Sequence, residues 1–70
     1  MSLNHIPAAA VVAGEALDRA DSKDELEAIW RRTGCDAFKG AARRYVTGIY
    51  AKVCNRIDST AEARRLAYAI

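Results

Sequence analysis

Apolar residues recur at three- and four-residue spacing along most of the chain, which is the periodicity of amphipathic α-helices. The pattern predicts four helices, at about 7–20, 23–33, 37–57 and 60–69. The breaks between them are too short to be linkers between domains, so residues 1–70 are predicted to form a single helical domain. The expected fold is therefore all-α: a compact three- to four-helix bundle with a long central third helix.

The first helix is predicted to begin at Pro7, because the missing amide of proline would have no helical partner at the first position anyway. Its apolar stripe, which should face the core, consists of Val12, Ala13, Ala16, Leu17 and Ala20.

The second helix carries the clearest local signals. Ser22 and Glu25 match a capping box, in which each side chain binds a backbone amide of the first turn. Gly34 follows the last turn, where glycine commonly ends a helix. The face expected to pack on the core consists of Leu26, Ile29, Trp30 and Thr33.

The third helix is predicted to be capped by Asp36 and to bury one continuous stripe. That stripe consists of Phe38, Ala42, Tyr45, Val46, Ile49, Val53 and Ile57. A second capping-box pattern over 58–62 predicts a break before a short fourth helix.

The opposite side of the third helix is unusual because small and uncharged residues dominate it. These residues are Ala37, Gly40, Ala41, Thr47, Gly48, Ala51 and Asn55, interrupted by Arg44. Each glycine costs about 1 kcal/mol relative to alanine inside a helix. Small side chains let another backbone approach closely, so we expect the third helix to be contacted on both sides.

Composition supports the helical interpretation and favours association. Alanine occurs fifteen times, against four glycines and one proline. A chain of 70 residues buries only about 60% of its unfolded surface, so it stands to gain stability by self-association. Apolar runs are shorter than the roughly 18 residues of a membrane span, and the start of the chain is a poor signal peptide. We therefore expect a cytoplasmic protein without a membrane partner.

Charge is unevenly distributed although the net charge is only +2. Residues 1–36 carry −3 and residues 37–70 carry +5. One interpretation is that the acidic second helix packs beside the basic third helix through weak surface pairs. The other is a bipolar surface that steers the approach of a partner.

Nothing in the sequence indicates a catalytic or metal site. His5 is the single histidine, and the two cysteines, Cys35 and Cys54, match neither a zinc motif nor a disulfide framework. No glycine-rich phosphate-binding motif is present. We therefore expect a protein that is not an enzyme and that uses no cofactor or metal.

The residues that remain point to binding. The tyrosines combine apolar area with a hydroxyl, which suits an interface. We expect the partner contacts to include a homodimer contact. The predicted partner-binding residues are Gly40, Arg44, Gly48, Ala51, Tyr50 and Tyr68. The alternative is a small DNA- or RNA-binding module that contacts phosphates through Arg31, Arg32, Arg43 and Arg44. The identity of a protein partner stays open at this stage.

A family resemblance adds one further expectation. The segment 24–30, preceded by Ala16 and Leu17 and followed by a tyrosine-bearing amphipathic helix, resembles helical C-terminal segments of phage-type recombination and single-strand annealing proteins. In that family these segments are protein-interaction pieces, and their Leu and Trp positions correspond to Leu26 and Trp30. The annealing core has no counterpart in this chain. The resemblance implies a stand-alone phage or prophage accessory protein that modulates or inhibits a larger host protein.

Overall fold

The computed structural model describes residues 6–68, and these form three α-helices and one 3₁₀ turn. Helix α1 spans Ala8–Asp18, α2 spans Lys23–Arg32, the 3₁₀ turn spans Cys35–Ala37, and α3 spans Gly40–Tyr68. No strand occurs in this part of the chain. The all-α bundle with a long third helix is therefore confirmed.

Helix α2 forms as the local signals predict. The Ser22 hydroxyl accepts a hydrogen bond from the Glu25 amide at 3.1 Å, and the Glu25 carboxylate accepts one from the Asp21 amide at 2.8 Å. Gly34, with φ +69°, turns the chain out of the helix in the left-handed conformation. These local bonds fix both ends of α2 without help from the rest of the fold.

Helix α3 differs from the prediction at both of its expected boundaries. It begins at Gly40 instead of 37, because Asp36 lies in the 3₁₀ turn and its carboxylate accepts a hydrogen bond from Trp30 Nε1 at 2.9 Å. The predicted fourth helix at 60–69 is a continuation of α3, which runs without a break to Tyr68. The Thr60 hydroxyl, within the predicted capping-box pattern, donates to the carbonyl of Arg56 one turn earlier, at 2.9 Å.

The core lies where α1 and α2 pack against the first half of α3. Its buried residues are Ala10, Ala13, Leu17, Ala20, Leu26, Ile29, Cys35, Ala42, Val46 and Val53. The apolar stripe predicted for α3 is confirmed, since every member is buried or half-buried against this cluster. Trp30, Phe38 and Tyr45 contact the core and are half-buried.

The stripe predicted for α1 is partly wrong. Val12, expected in the core, is 62% exposed, and Gly14 is buried in its place. A β-carbon on Gly14 would lie 2.6 Å from Ile49 Cδ1 and 2.8 Å from Tyr45 Cε2. Because α3 approaches α1 this closely at Gly14, α1 packs on α3 through the side of the helix that carries its small residues. Val12 therefore lies on the solvent side of α1.

Arg56 of α3 binds the C-terminal end of α1. From α3 its guanidinium donates to the carbonyls of Asp18 at 2.8 Å and Ala20 at 3.0 Å, and it lies 3.4 Å from the Asp18 carboxylate. The last carbonyls of a helix have no partner within that helix, so Arg56 supplies donors that the end of α1 lacks. α1 ends at Asp18, two residues before the predicted end.

Candidate interaction surface

The side of α3 that faces away from α1 and α2 is open to solvent along its length. We define this back face by seven exposed residues at three- and four-residue spacing: Arg44, Gly48, Ala51, Asn55, Ser59, Glu62 and Leu66. A helix repeats every 3.6 residues, so these positions form one continuous strip opposite the buried stripe. The structure thus brings three of the predicted partner-binding residues together: Arg44, Gly48 and Ala51.

Gly40 is placed differently from the prediction. It is the first residue of α3 and has φ +61°, a conformation that side-chain-bearing residues rarely adopt. The backbone at the start of the helix therefore accounts for glycine at this position. Gly48, by contrast, has ordinary helical backbone, and nothing lies within 4 Å of the place where its β-carbon would be. No contact with a described residue explains glycine there.

The two predicted tyrosines lie away from the back face. Tyr50 is half-buried and meets Trp30 edge-to-face, with ring centroids 5.2 Å apart at 75°. Tyr68 lies near the free end of α3 and is 86% exposed. Tyr50 therefore supports the packing of α3 on α2, whereas Tyr68 is available for contact.

The rings of Trp30 and Tyr50 line a cleft of about 400 Å³ between α2 and α3. Arg43 covers the Trp30 ring at 5.4 Å from its centroid and donates to the carbonyl of Asp36 at 3.2 Å. Arg31, across the cleft, pairs with Glu27 at 2.9 Å. The charges that line the cleft are therefore balanced, and both cations already have acidic or carbonyl partners.

The four arginines of the nucleic-acid alternative do not share one surface. Arg31 and Arg43 line the cleft. Arg44 lies on the other side of α3 beside a shallow cavity of about 290 Å³, lined also by Ile6, Ala41 and Tyr45. Arg32 is exposed and lines neither cavity. No continuous track for a phosphate backbone results from this arrangement.

The last three turns of α3, residues 58–68, are exposed at every position. They include two of the three large apolar side chains that are most exposed among the described residues, Leu66 at 64% and Tyr68 at 86%. At the base of this extension Lys23 Nζ lies 2.7 Å from an Asp58 carboxylate oxygen. The hydrogen bond and negative charge of Asp58 raise the pKa of Lys23 above its ordinary 10.5.

Sites for other chemistry do not emerge from residues 6–68. No group of histidine, cysteine and acidic side chains there could hold a metal ion. Both cysteines are free thiols; Cys35 is buried, with Sγ 3.3 Å from the Thr33 hydroxyl, and Cys54 is half-buried. His5 lies outside the described residues. Within the same range, no helix has the length and apolar character needed to cross a membrane.

Sequence reasoning missed two parts of this surface. It placed a helix boundary where the exposed extension of α3 continues, and it did not pair Trp30 with Asp36 or Tyr50. The three- and four-residue spacing that links Asn55, Ser59, Glu62 and Leu66 was the signal that could have shown one continuous face.

Comparison with known proteins found no matching family model, no matching curated protein and no matching solved structure.

Proposed function

We propose that this chain is a non-enzymatic protein–protein interaction module that presents α3 to other proteins and self-associates as a homodimer. One observation carries the proposal: α3 continues for three turns past Ile57, its last residue packed on the core, and every residue of 58–68 is exposed. An extension of this kind presents side chains on all sides to a partner.

The physical cost of the extension supports this interpretation. Isolated helices shorter than about 12–15 residues are marginal in water, and most helices in proteins are stabilised by packing one face. None of the 11 residues of the extension is buried; Asp58 pairs with Lys23, and the Thr60 hydroxyl bonds to the Arg56 carbonyl. A partner that covers Leu66 and Tyr68 would remove apolar surface from water and stabilise the helical form.

The larger partner in this proposal is a host protein, which the chain modulates or inhibits as a phage-type accessory protein. Its support is the resemblance of residues 24–30 to interaction segments of phage recombination proteins. The exposed Tyr68 adds a side chain of the type enriched in protein interfaces.

The experiment is a measurement of molar mass by light scattering across a range of protein concentrations. We expect the wild-type chain to reach twice its 7.6 kDa mass. Gly48→Arg should stay monomeric, because the substitution fits the open space around Gly48 in the monomer but blocks close approach of a second helix. Ala28→Arg, which adds the same side chain to an exposed position of α2, is the matched control and should dimerise normally.

A wild-type chain that is monomeric at millimolar concentration would contradict the homodimer. A Gly48→Arg variant that keeps the dimeric mass of the wild type would contradict a dimer formed through the back face of α3. Circular dichroism of each variant confirms that the helices are intact, so that a loss of mass reflects association.

The nucleic-acid alternative is favoured by one observation, the placement of Arg31 and Arg43 on two sides of an aromatic-lined cleft. Aromatic rings flanked by arginines can bind unpaired bases and phosphates. Repeating the measurement with a single-stranded oligonucleotide at low and moderate salt tests it. A complex that dissociates steeply as salt rises would establish this function, whereas our proposal predicts no complex.

A further inference from the structure

We infer that the homodimer forms by antiparallel pairing of α3 with α3 of a second copy, in a register set by Arg44 and Glu62. This inference rests on the proposed function and adds the orientation and the contacts of the interface. The occupant of the back face is thus a second copy of this chain.

The distribution of charge on the back face points to that orientation. Arg44 lies at one end of the face and Glu62 at the other, 18 residues or about five helical turns apart, so both project in the same direction. Neither forms an ion pair with a described residue. The positions of the face between them are uncharged: Gly48, Ala51, Asn55 and Ser59.

Only one orientation of two such faces matches opposite charges. A parallel pair would place Arg44 against Arg44 and Glu62 against Glu62, which is unfavourable for like charges. An antiparallel pair centred on position 53, midway between the two residues, places each Arg44 against Glu62 of the second copy. Two-fold symmetry then forms the contact twice.

The same register brings small residues together in the middle of the interface. Ala51 falls opposite Asn55 of the second copy, and Gly48 falls opposite its 58–59 turn. Side chains of this size permit a short distance between helix axes. The glycine at position 48, which no contact within residues 6–68 explains, is accounted for by this close approach.

The same register forms an apolar contact at each end of the face. Leu66, 64% exposed, falls opposite Gly40 of the second copy, directly before Ala41 in the chain. Ala41 lines the shallow cavity of about 290 Å³ beside Ile6 and Tyr45. An exposed leucine therefore lies next to this depression, which Arg44 also lines, at each end of the paired helices, and burial of Leu66 there favours association.

The decisive test is a charge exchange, read as the dimer dissociation constant by sedimentation equilibrium at low salt. Arg44→Glu and Glu62→Arg should each weaken the dimer by about tenfold or more, because each creates two like-charge contacts. The double variant R44E/E62R should return to within about threefold of the wild type, because its opposite charges are matched again. Both positions are exposed, so the monomer fold should tolerate all three variants.

A second pair of variants tests the leucine contact. Leu66→Asp should weaken the dimer by about tenfold or more, whereas Val12→Asp should not change it, although Val12 is equally exposed on α1. Near-ultraviolet circular dichroism checks that the tertiary packing of each variant is retained.

The possible outcomes separate this inference from the proposed homodimer. A wild-type dimer whose dissociation constant is unchanged by both single charge variants would overturn the antiparallel register while leaving a homodimer in place. Single variants that weaken the dimer without rescue in the double variant would also overturn it. A wild-type chain that does not dimerise would overturn both the inference and the homodimer.

Discussion

The two halves of α3 are one continuous helix, yet different interactions support them. Between residues 40 and 57 the helix has a buried stripe packed on α1 and α2, with Val46 and Val53 fully covered. Between residues 58 and 68 no residue is buried. Buried contacts stabilise the first part, whereas the second part continues the helix with every residue exposed. A sequence can therefore extend a helix well beyond the core that nucleates it.

The largest expected effect comes from removing a packed side chain in the first half. Val53→Ala should lower the free energy of unfolding by about 2 kcal/mol, since it removes buried methyl groups and leaves a void. Tyr68→Ala should change it by less than about 0.5 kcal/mol, because 86% of Tyr68 is already exposed. Urea unfolding of dilute protein gives both values; equal losses would show that the extension packs on the bundle.

Two glycines extend the comparison: Gly14 of α1 packs against the buried side of α3, and Gly48 lies on the exposed side of α3. Gly14→Ala should destabilise the fold by about 1 kcal/mol, because the collision of its new methyl group with Tyr45 and Ile49 costs more than the helix propensity that alanine adds. Gly48→Ala should stabilise the monomer by up to about 1 kcal/mol, because the helix gains propensity where no atom stands in the way. Thermal unfolding of the two variants should shift in opposite directions. A stabilising Gly14→Ala would contradict the close approach of α1 to α3.

The smallest expected effect concerns the junction of the two halves. Folding raises the pKa of Lys23 above 10.5 through Asp58, so the folded chain holds the Lys23 proton more tightly than the unfolded chain. The stabilisation is complete below pH 10.5 and is lost as pH rises through the raised pKa.

A Lys23→Met variant isolates this contribution from other groups that titrate at high pH. The wild type should unfold at a slightly higher urea concentration than Lys23→Met at about pH 9, and the difference should disappear as the pH rises through the raised pKa of Lys23. A difference that persists at the higher pH would assign the effect to side-chain packing instead of charge.

Local chemistry explains which parts of the fold could be predicted from the sequence. The capping residues Ser22 and Glu25 and the turn at Gly34 act within a few residues of their partners, so the ends of α2 follow from the sequence. The buried stripe of α3 follows from its periodicity in the same way. The all-α class follows from both signals together.

The predictions for the ends of α3 are wrong because side-chain contacts outside the local helix pattern decide them. Asp36 matches a helix cap by its position in the sequence, but its carboxylate accepts a hydrogen bond from Trp30. Asp58 begins the second capping-box pattern, but its carboxylate pairs with Lys23, 35 residues earlier in the chain. In each case a tertiary partner competes with the local backbone for the same side chain, and sequence spacing does not show that partner.

The candidate surface was predicted in part for a related reason. Arg44, Gly48 and Ala51 share a face that periodicity alone could identify. Tyr50 was assigned to a partner because it lies at the edge of the buried stripe, and only the structure shows its contact with Trp30. Gly40 was assigned to the same face because a positive φ cannot be distinguished in the sequence from a close approach.

The length of α3 has a consequence for how the molecule moves in solution. At 1.5 Å per residue its 29 residues span about 43 Å, and the whole molecule measures 53 × 26 × 14 Å. The radius of gyration, 14.4 Å, exceeds the roughly 11 Å typical of a globular chain of this length. Such a rod rotates about its long axis faster than it tumbles end over end. Amide bonds of α3, aligned with that axis, should therefore show slower rotational relaxation than a sphere of equal mass, even in the monomer.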